Sequence, residues 1–150
     1  MMLDKANLFS NAQSIAAVAS TVLGDYSVDL GASATDSLGN TVPSDLAKSM
    51  NELLVTITET VTSGGAATID FQLVMADNAA LTTNKVVLQT TGAIALATLA
   101  AGYKPRLGMP QGGFTKRYLG IQYVIATATT TAGKVTAGLV PCGHVDNVTV

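Results

Sequence analysis

The chain has 150 residues, 48% of them apolar and only 12% charged, which is enough length for one domain with a real core. The apolar share excludes disorder over most of the length, while a charge content of about half the usual ~25% deprives a free monomer of its ordinary surface. A formal net charge of −2 leaves no basic footprint for direct binding of nucleic acid.

The first residues, MMLDKANLFSNAQ, lack the layout of a signal peptide, and no window approaches the ~18 apolar residues of a membrane helix. The phrase NLFSNAQSIAAVAS is compatible with a short helix capped by Asn7 or Ser10, or with an extended arm ending in a strand. Residues 1–20 are therefore read as an N-terminal arm, 21–141 as a β-domain and 142–150 as a C-terminal tail. Tyr26–Leu30 is a short strand candidate, and Pro43–Lys48 allows one helical turn. Leu53–Val61 and Ala67–Met75 then alternate apolar and polar positions with period 2, the pattern of half-buried strands. Five residues, Thr62 to Ala66, connect them, a length that predicts an antiparallel hairpin. Lys85–Gln89 is another short candidate. Gly92–Ala101 is apolar but short, and reads as buried structure or a surface loop. Tyr103–Met109 is confined to an edge or a bulge by Pro105 and Pro110, because proline cannot donate to a ladder. Leu119, Ile121, Tyr123 and Ile125 share one face of a further strand. After a turn near Thr129–Gly133, Val135, Ala137 and Leu139 point inward from another, predicting a second hairpin. The whole is an all-β antiparallel sandwich or barrel with little helix.

Chemistry is sparse. Cys142 is the single cysteine, which excludes an internal disulfide and suits a reducing cytoplasm. It lies two residues from the single histidine, His144, near the end of the chain, a poor geometry for a nucleophile and its base. A structural zinc site needs about four ligands, and none but these two are cysteine or histidine. Asp25, Asp29 and Asp36 lack the spacing of a calcium loop. Asp77-Asn78 reads as a turn whose side chains cap local amides, and Asp70 and Glu59 as charges on polar or edge positions of strands. Gly108–Gly113 lacks the Lys-Ser/Thr ending of a phosphate loop. The residues point to no enzyme, no cofactor and no metal. Lys104, Arg106, Lys116 and Arg117 gather half of the eight cations within 14 residues, a candidate patch for an acidic partner surface.

Three stretches resemble the jelly-roll capsid cement (decoration) proteins of short-tailed double-stranded-DNA phages. These are Asp4–Ile15 (DKANLFSNAQSI) with the later Asp29-Leu30-Gly31 step, Ser63–Ala80 (SGGAATIDFQLVMADNAA), and Lys116–Val140 (KRYLGIQYVIATATTTAGKVTAGLV). The resemblance implies a jelly-roll sandwich on the outer capsid surface of a virion, made in the host cytoplasm. Its implied partners are the major capsid protein and further copies of itself, a dimer first and a trimer second, with no membrane or direct nucleic-acid partner. Leu8, Phe9 and Gln13 are then expected to strap a neighbour, with the sandwich surviving deletion of residues 1–12. Lys104, Arg106, Lys116 and Arg117 are expected to face the capsid. The alternative is another phage β-module, such as a tail or receptor- or carbohydrate-binding domain.

Overall fold

A computed structural model describes residues 7–32, 34–42, 51–110 and 113–141. The possible turn at Pro43–Lys48, Cys142, His144 and the C-terminal tail lie outside the described residues.

The alternating stretches are strands, and their apolar rows meet in one core. Two antiparallel sheets carry it. In the first, β1 (Leu8–Ser14), β12 (Thr130–Pro141), β6 (Asn51–Ser63) and β10 (Arg106–Gly108) lie side by side in that order. In the second the order is β2 (Thr21–Leu23), β11 (Tyr118–Ala126), β7 (Thr68–Ala76) and β8 (Val86–Thr90), with β3 (Val28–Asp29) also on β11 and β9 (Ile94–Ala95) also on β7. β4 (Ala34–Thr35) and β5 (Thr41–Val42) form a separate two-stranded hairpin. The pairings β1 with β12, β2 with β11, β6 with β10 and β7 with β8 nest first strand with last, which is the jelly-roll topology.

This order corrects both predicted hairpins. β6 pairs with β12 and β10, and β7 with β11, β8 and β9, so the short connection after Ser63 crosses from one sheet to the other. β11 and β12 part in the same way across residues 127–129. The two corners stack: the Ser63 hydroxyl donates to the Thr129 carbonyl at 2.6 Å, and the Thr62 and Thr131 hydroxyls lie 2.9 Å apart. Period-2 alternation is satisfied equally by a hairpin, where two apolar rows share one face, and by a corner, where they face each other across the core. The stacked corners bury all four rows at once.

Leu53, Val55, Ile57 and Val61 of β6 meet Ile69, Phe71, Leu73 and Met75 of β7, all buried as their alternation predicts. Leu119, Ile121, Tyr123 and Ile125 of β11 and Val135, Ala137 and Leu139 of β12 complete the layer. β7 and β11 run in unbroken register from Tyr118 opposite Ala76 to Ala126 opposite Thr68. At its middle the Phe71 and Tyr123 rings pack edge to face, 5.7 Å apart at 80°. The Gly92–Ala101 tract is mostly surface, with a short 3-10 turn at Leu96–Thr98, and only Leu99 in it is fully buried. β10 is indeed an edge strand flanked by prolines, pairing with β6 alone among the described strands.

The outer face of the second sheet carries a smaller cluster of Val74, Ala76 and Leu81. Leu81 reaches it from the 77–85 loop, where the Asn78 side-chain oxygen accepts from the Thr82 and Thr83 amides. Gly120 makes room for this plug: a Cβ there would collide with the Leu81 side chain.

Candidate functional site

Residues 8–14 settle between the two readings of the N-terminus: they are extended, and they form an edge strand of the protein's own sheet. Phe9 is 0% exposed within the core. Two bulges interrupt β1, and the left-handed φ of 49° at Ala12 lies in this region. They let Phe9 and the adjacent Ser10 both turn inward. A polar relay results. The Tyr123 hydroxyl donates to Ser10 Oγ at 2.7 Å, Ser10 Oγ donates to Gln13 Oε1 at 2.6 Å, and Gln13 Nε2 donates to the Leu23 carbonyl at 2.7 Å. The relay spans the sandwich, because Ser10 and Gln13 sit on one sheet and Tyr123 and Leu23 on the other. Burial pushes the Tyr123 phenol well above its usual pKa, against the opposing effect of the bond to Ser10. Of the three expected strap residues, Phe9 and Gln13 thus face inward contacts, and Leu8 is half-buried.

Two of the four cations, Lys116 and Arg117, are held in ion pairs, and the side chain of Arg106 lies outside the described residues. Arg117 makes a two-pronged ion pair with Asp29 at 2.7 and 2.8 Å, and its guanidinium lies 5.2 Å above the Tyr118 ring. The bond from Arg117, followed by one from the Gly31 amide, holds the Asp29 carboxyl down to about 2. Lys116 pairs with Asp77 at 2.9 Å. Asn84 also donates to Asp77, and these bonds, Asn84 first, lower its pKa. Asp77 therefore serves the ion pair, and only Asn78 caps amides. Arg106 opens β10 opposite Leu54, and Lys104 lines the groove between β8 and β10. Asp36 accepts from the Asn40 side chain and the Asn40 and Leu38 amides, which lower its pKa, so Asp36 is engaged within its own turn and Asp29 chiefly by the distant Arg117.

Sequence reasoning missed a polar ladder on the outer face of the second sheet. Gln122 lies directly opposite Gln72 and donates to it at 2.5 Å. Gln72 donates to Asp70 at 2.5 Å, and the Thr90 and Thr91 hydroxyls donate to Asp70 as well. Asp70 is therefore on an interior strand, not at an edge, where it anchors β8 to β7. Glu59 likewise lies on an interior strand and pairs with Lys134 at 2.8 Å. On the first sheet the outward Thr58, Thr60 and Thr62 are exposed, a row of small neutral side chains beside that ion pair. The period-2 pattern signalled which face these groups share, but not which strand lies alongside.

A family match covers residues 9–139, from the buried Phe9 to the last inward residue of β12. The chain belongs to the Bbp16 family. The Bbp16 match takes in the Ser10–Gln13 relay, both stacked corners and the 77–85 loop, so the family spans the sandwich itself. No curated protein matches the chain significantly.

Proposed function

We propose that the protein is a capsid cement (decoration) protein that binds the outside of a phage capsid, bridges major capsid protein subunits and associates with itself. The observation that carries this reading is the match to Bbp16, a phage-related family name, over 131 residues of a chain whose stretches resemble cement proteins. The jelly-roll order and the neutral threonine row of the first sheet support it. Short threonine side chains lose little rotamer freedom when another subunit covers them, so such a face is suited to contact at low entropic cost. Each copy would bury area across a seam, and a standard interface of ~1,600 Å² is enough for specific binding. Repetition over a closed shell then adds multivalency, which resists outward pressure from packaged DNA. The protein would be made in the host cytoplasm and end on the outer capsid surface.

The capsid-facing candidates are Leu8, Lys104, Arg106, Lys116 and Arg117; at Lys116 and Arg117 an acidic capsid surface would compete with Asp77 and Asp29. The test is addition of purified protein to cement-free expanded capsids. Binding with raised thermal or mechanical resistance is expected; absence of binding, or binding with no gain in resistance, overturns the proposal.

A further inference from the structure

The outer face of the second sheet holds a pocket that the 77–85 loop fills with a single side chain. Gly120 and Val74 lie opposite each other at its floor, with Tyr118 and Ala76 in the row to one side and Gln122 and Leu23 in the row to the other. Leu81 drops into the middle and is 1% exposed, the one buried residue of its loop. The absent side chain of Gly120 leaves the floor open to it.

The loop is bonded to itself more than to the sheet. The Asp77 amide donates to the Thr83 carbonyl, the Leu81 amide to the Asn78 carbonyl, and the Asn84 side chain to Asp77, while Asn78 Oδ1 takes the Thr82 and Thr83 amides. Among the described residues, Lys116 is the one side chain outside the loop that bonds to it, through Asp77. A unit closed in this way moves as a body about its ends, and Leu81 is its apolar hold on the sheet.

The closed position carries two costs. Leu81 sits at φ 55°, in the left-handed region that a bulky side chain disfavours. Gln122 is 5% exposed, and its Oε1 has no hydrogen-bond partner. The Asp70 carboxylate sets the direction of that amide. It accepts Nε2 of Gln72, which leaves Gln72 Oε1 to accept Nε2 of Gln122. The oxygen left over is the one turned away from Gln72, and Leu23, on that side of Gln122, packs against the Leu81 cluster. A buried acceptor without a partner is costly.

We propose that the 77–85 loop is a plug that lifts without unfolding the sandwich, and that the uncovered pocket receives a leucine-sized side chain and an N–H donor from another polypeptide. The incoming side chain restores the apolar burial that Leu81 gives up, and the donor meets Gln122 Oε1. Lifting also frees Leu81 from its left-handed backbone. Val87, opposite Val74 on the same face and 45% exposed, extends the apolar surface that the incoming chain covers.

Two measurements on the full chain with Cys142→Ser test this. Ala76 lies under the plug and Ala137 between the sheets, both 0% exposed. The thiol of Ala76→Cys is expected to be labelled roughly tenfold or more faster than that of Ala137→Cys. Equal rates mean that the pocket opens only with the whole fold, and overturn the proposal. Leu81→Gly empties the pocket and suits the left-handed φ; Leu81→Ala takes its place if that variant does not fold. N-acetyl-leucine amide is expected to bind the variant with a dissociation constant on the order of millimolar, shifting the Gln122 side-chain amide resonance, and to bind the unmodified chain more weakly. Absence of binding to the variant overturns the proposal. So does equal binding of methyl 4-methylpentanoate, which carries the side chain without an N–H. Neither measurement uses capsids, so failure here leaves the cement reading standing, and failure of capsid binding leaves the plug standing.

Discussion

Among single residues, the Tyr123–Ser10–Gln13 relay carries the clearest consequences. Ser10 and Tyr123 are buried and Gln13 partly so, and their hydrogen bonds compensate removal from water, so the cost of breaking the relay depends on how many groups are orphaned. Tyr123→Phe takes one donor from Ser10 and is expected to cost ~1 kcal/mol. Ser10→Ala leaves both the phenol and Gln13 Oε1 unpartnered and is expected to cost ~2–4 kcal/mol. Urea unfolding of the two variants checks the order; a larger loss for Tyr123→Phe would contradict the relay. Asp29 supplies a pH signature. Its carboxyl is held at about 2 in the folded chain against an ordinary 3.8. A lowered folded-state pKa means that the unfolded chain binds the proton more readily. The contribution of Asp29 is therefore fully present above about 3.8 and lost as pH falls toward about 2. Asp36 and Asp77 shift in the same direction. Stability of Asp29→Asn, followed across this acid window, is expected to depend less steeply on pH than that of the unmodified chain.

Between elements, the stacked corners decide the architecture. The Thr62 and Thr131 hydroxyls touch at 2.9 Å across the β6–β12 ladder. With Cys142→Ser, the pair Thr62→Cys and Thr131→Cys is expected to form an intramolecular disulfide on mild oxidation, read as a mass loss of two hydrogens without dimers. A flat β11–β12 hairpin would not place β12 against β6, and failure to close would count against the sheet order. The strands themselves were legible: β6, β7, β11 and β12 stand where the alternation of Leu53, Ile69, Leu119 and Val135 with polar neighbours puts them. Their partners were not legible, because side-chain period reports a face and carries no information on which strand shares it. The 77–85 loop shows the same division. Asn78 announced a turn, but nothing local announced that Leu81 would plug the outer face above Gly120.

For the molecule as a whole, the N-terminus changes role. Phe9 lies in the core and β1 closes one edge of the first sheet, so residues 8–14 belong to the sandwich and are not a detachable strap. Deletion of residues 1–12 is accordingly expected to destabilise the fold itself. Truncating a buried phenylalanine alone costs ~3–5 kcal/mol, a large part of a small domain's total stability. Thermal unfolding followed by circular dichroism checks this, and an unchanged transition would return residues 1–12 to the arm reading. The jelly roll also pairs its first strand with its last, so β1 lies on β12 and β12 on β6, through ladders that bulges interrupt.

Composition, the alternation of β6, β7, β11 and β12, and the proline-bounded β10 determined an all-β chain with a defined set of inward residues. They did so because burial of one face imposes a local period that any sequence must display. The sheet order, the inward Ser10–Gln13 relay and the neutralisation of Lys116 and Arg117 by Asp77 and Asp29 were decided only in three dimensions. Each joins residues far apart in the chain, Arg117 with Asp29 across 88 positions and Tyr123 with Ser10 across 113, and no local pattern encodes such a meeting.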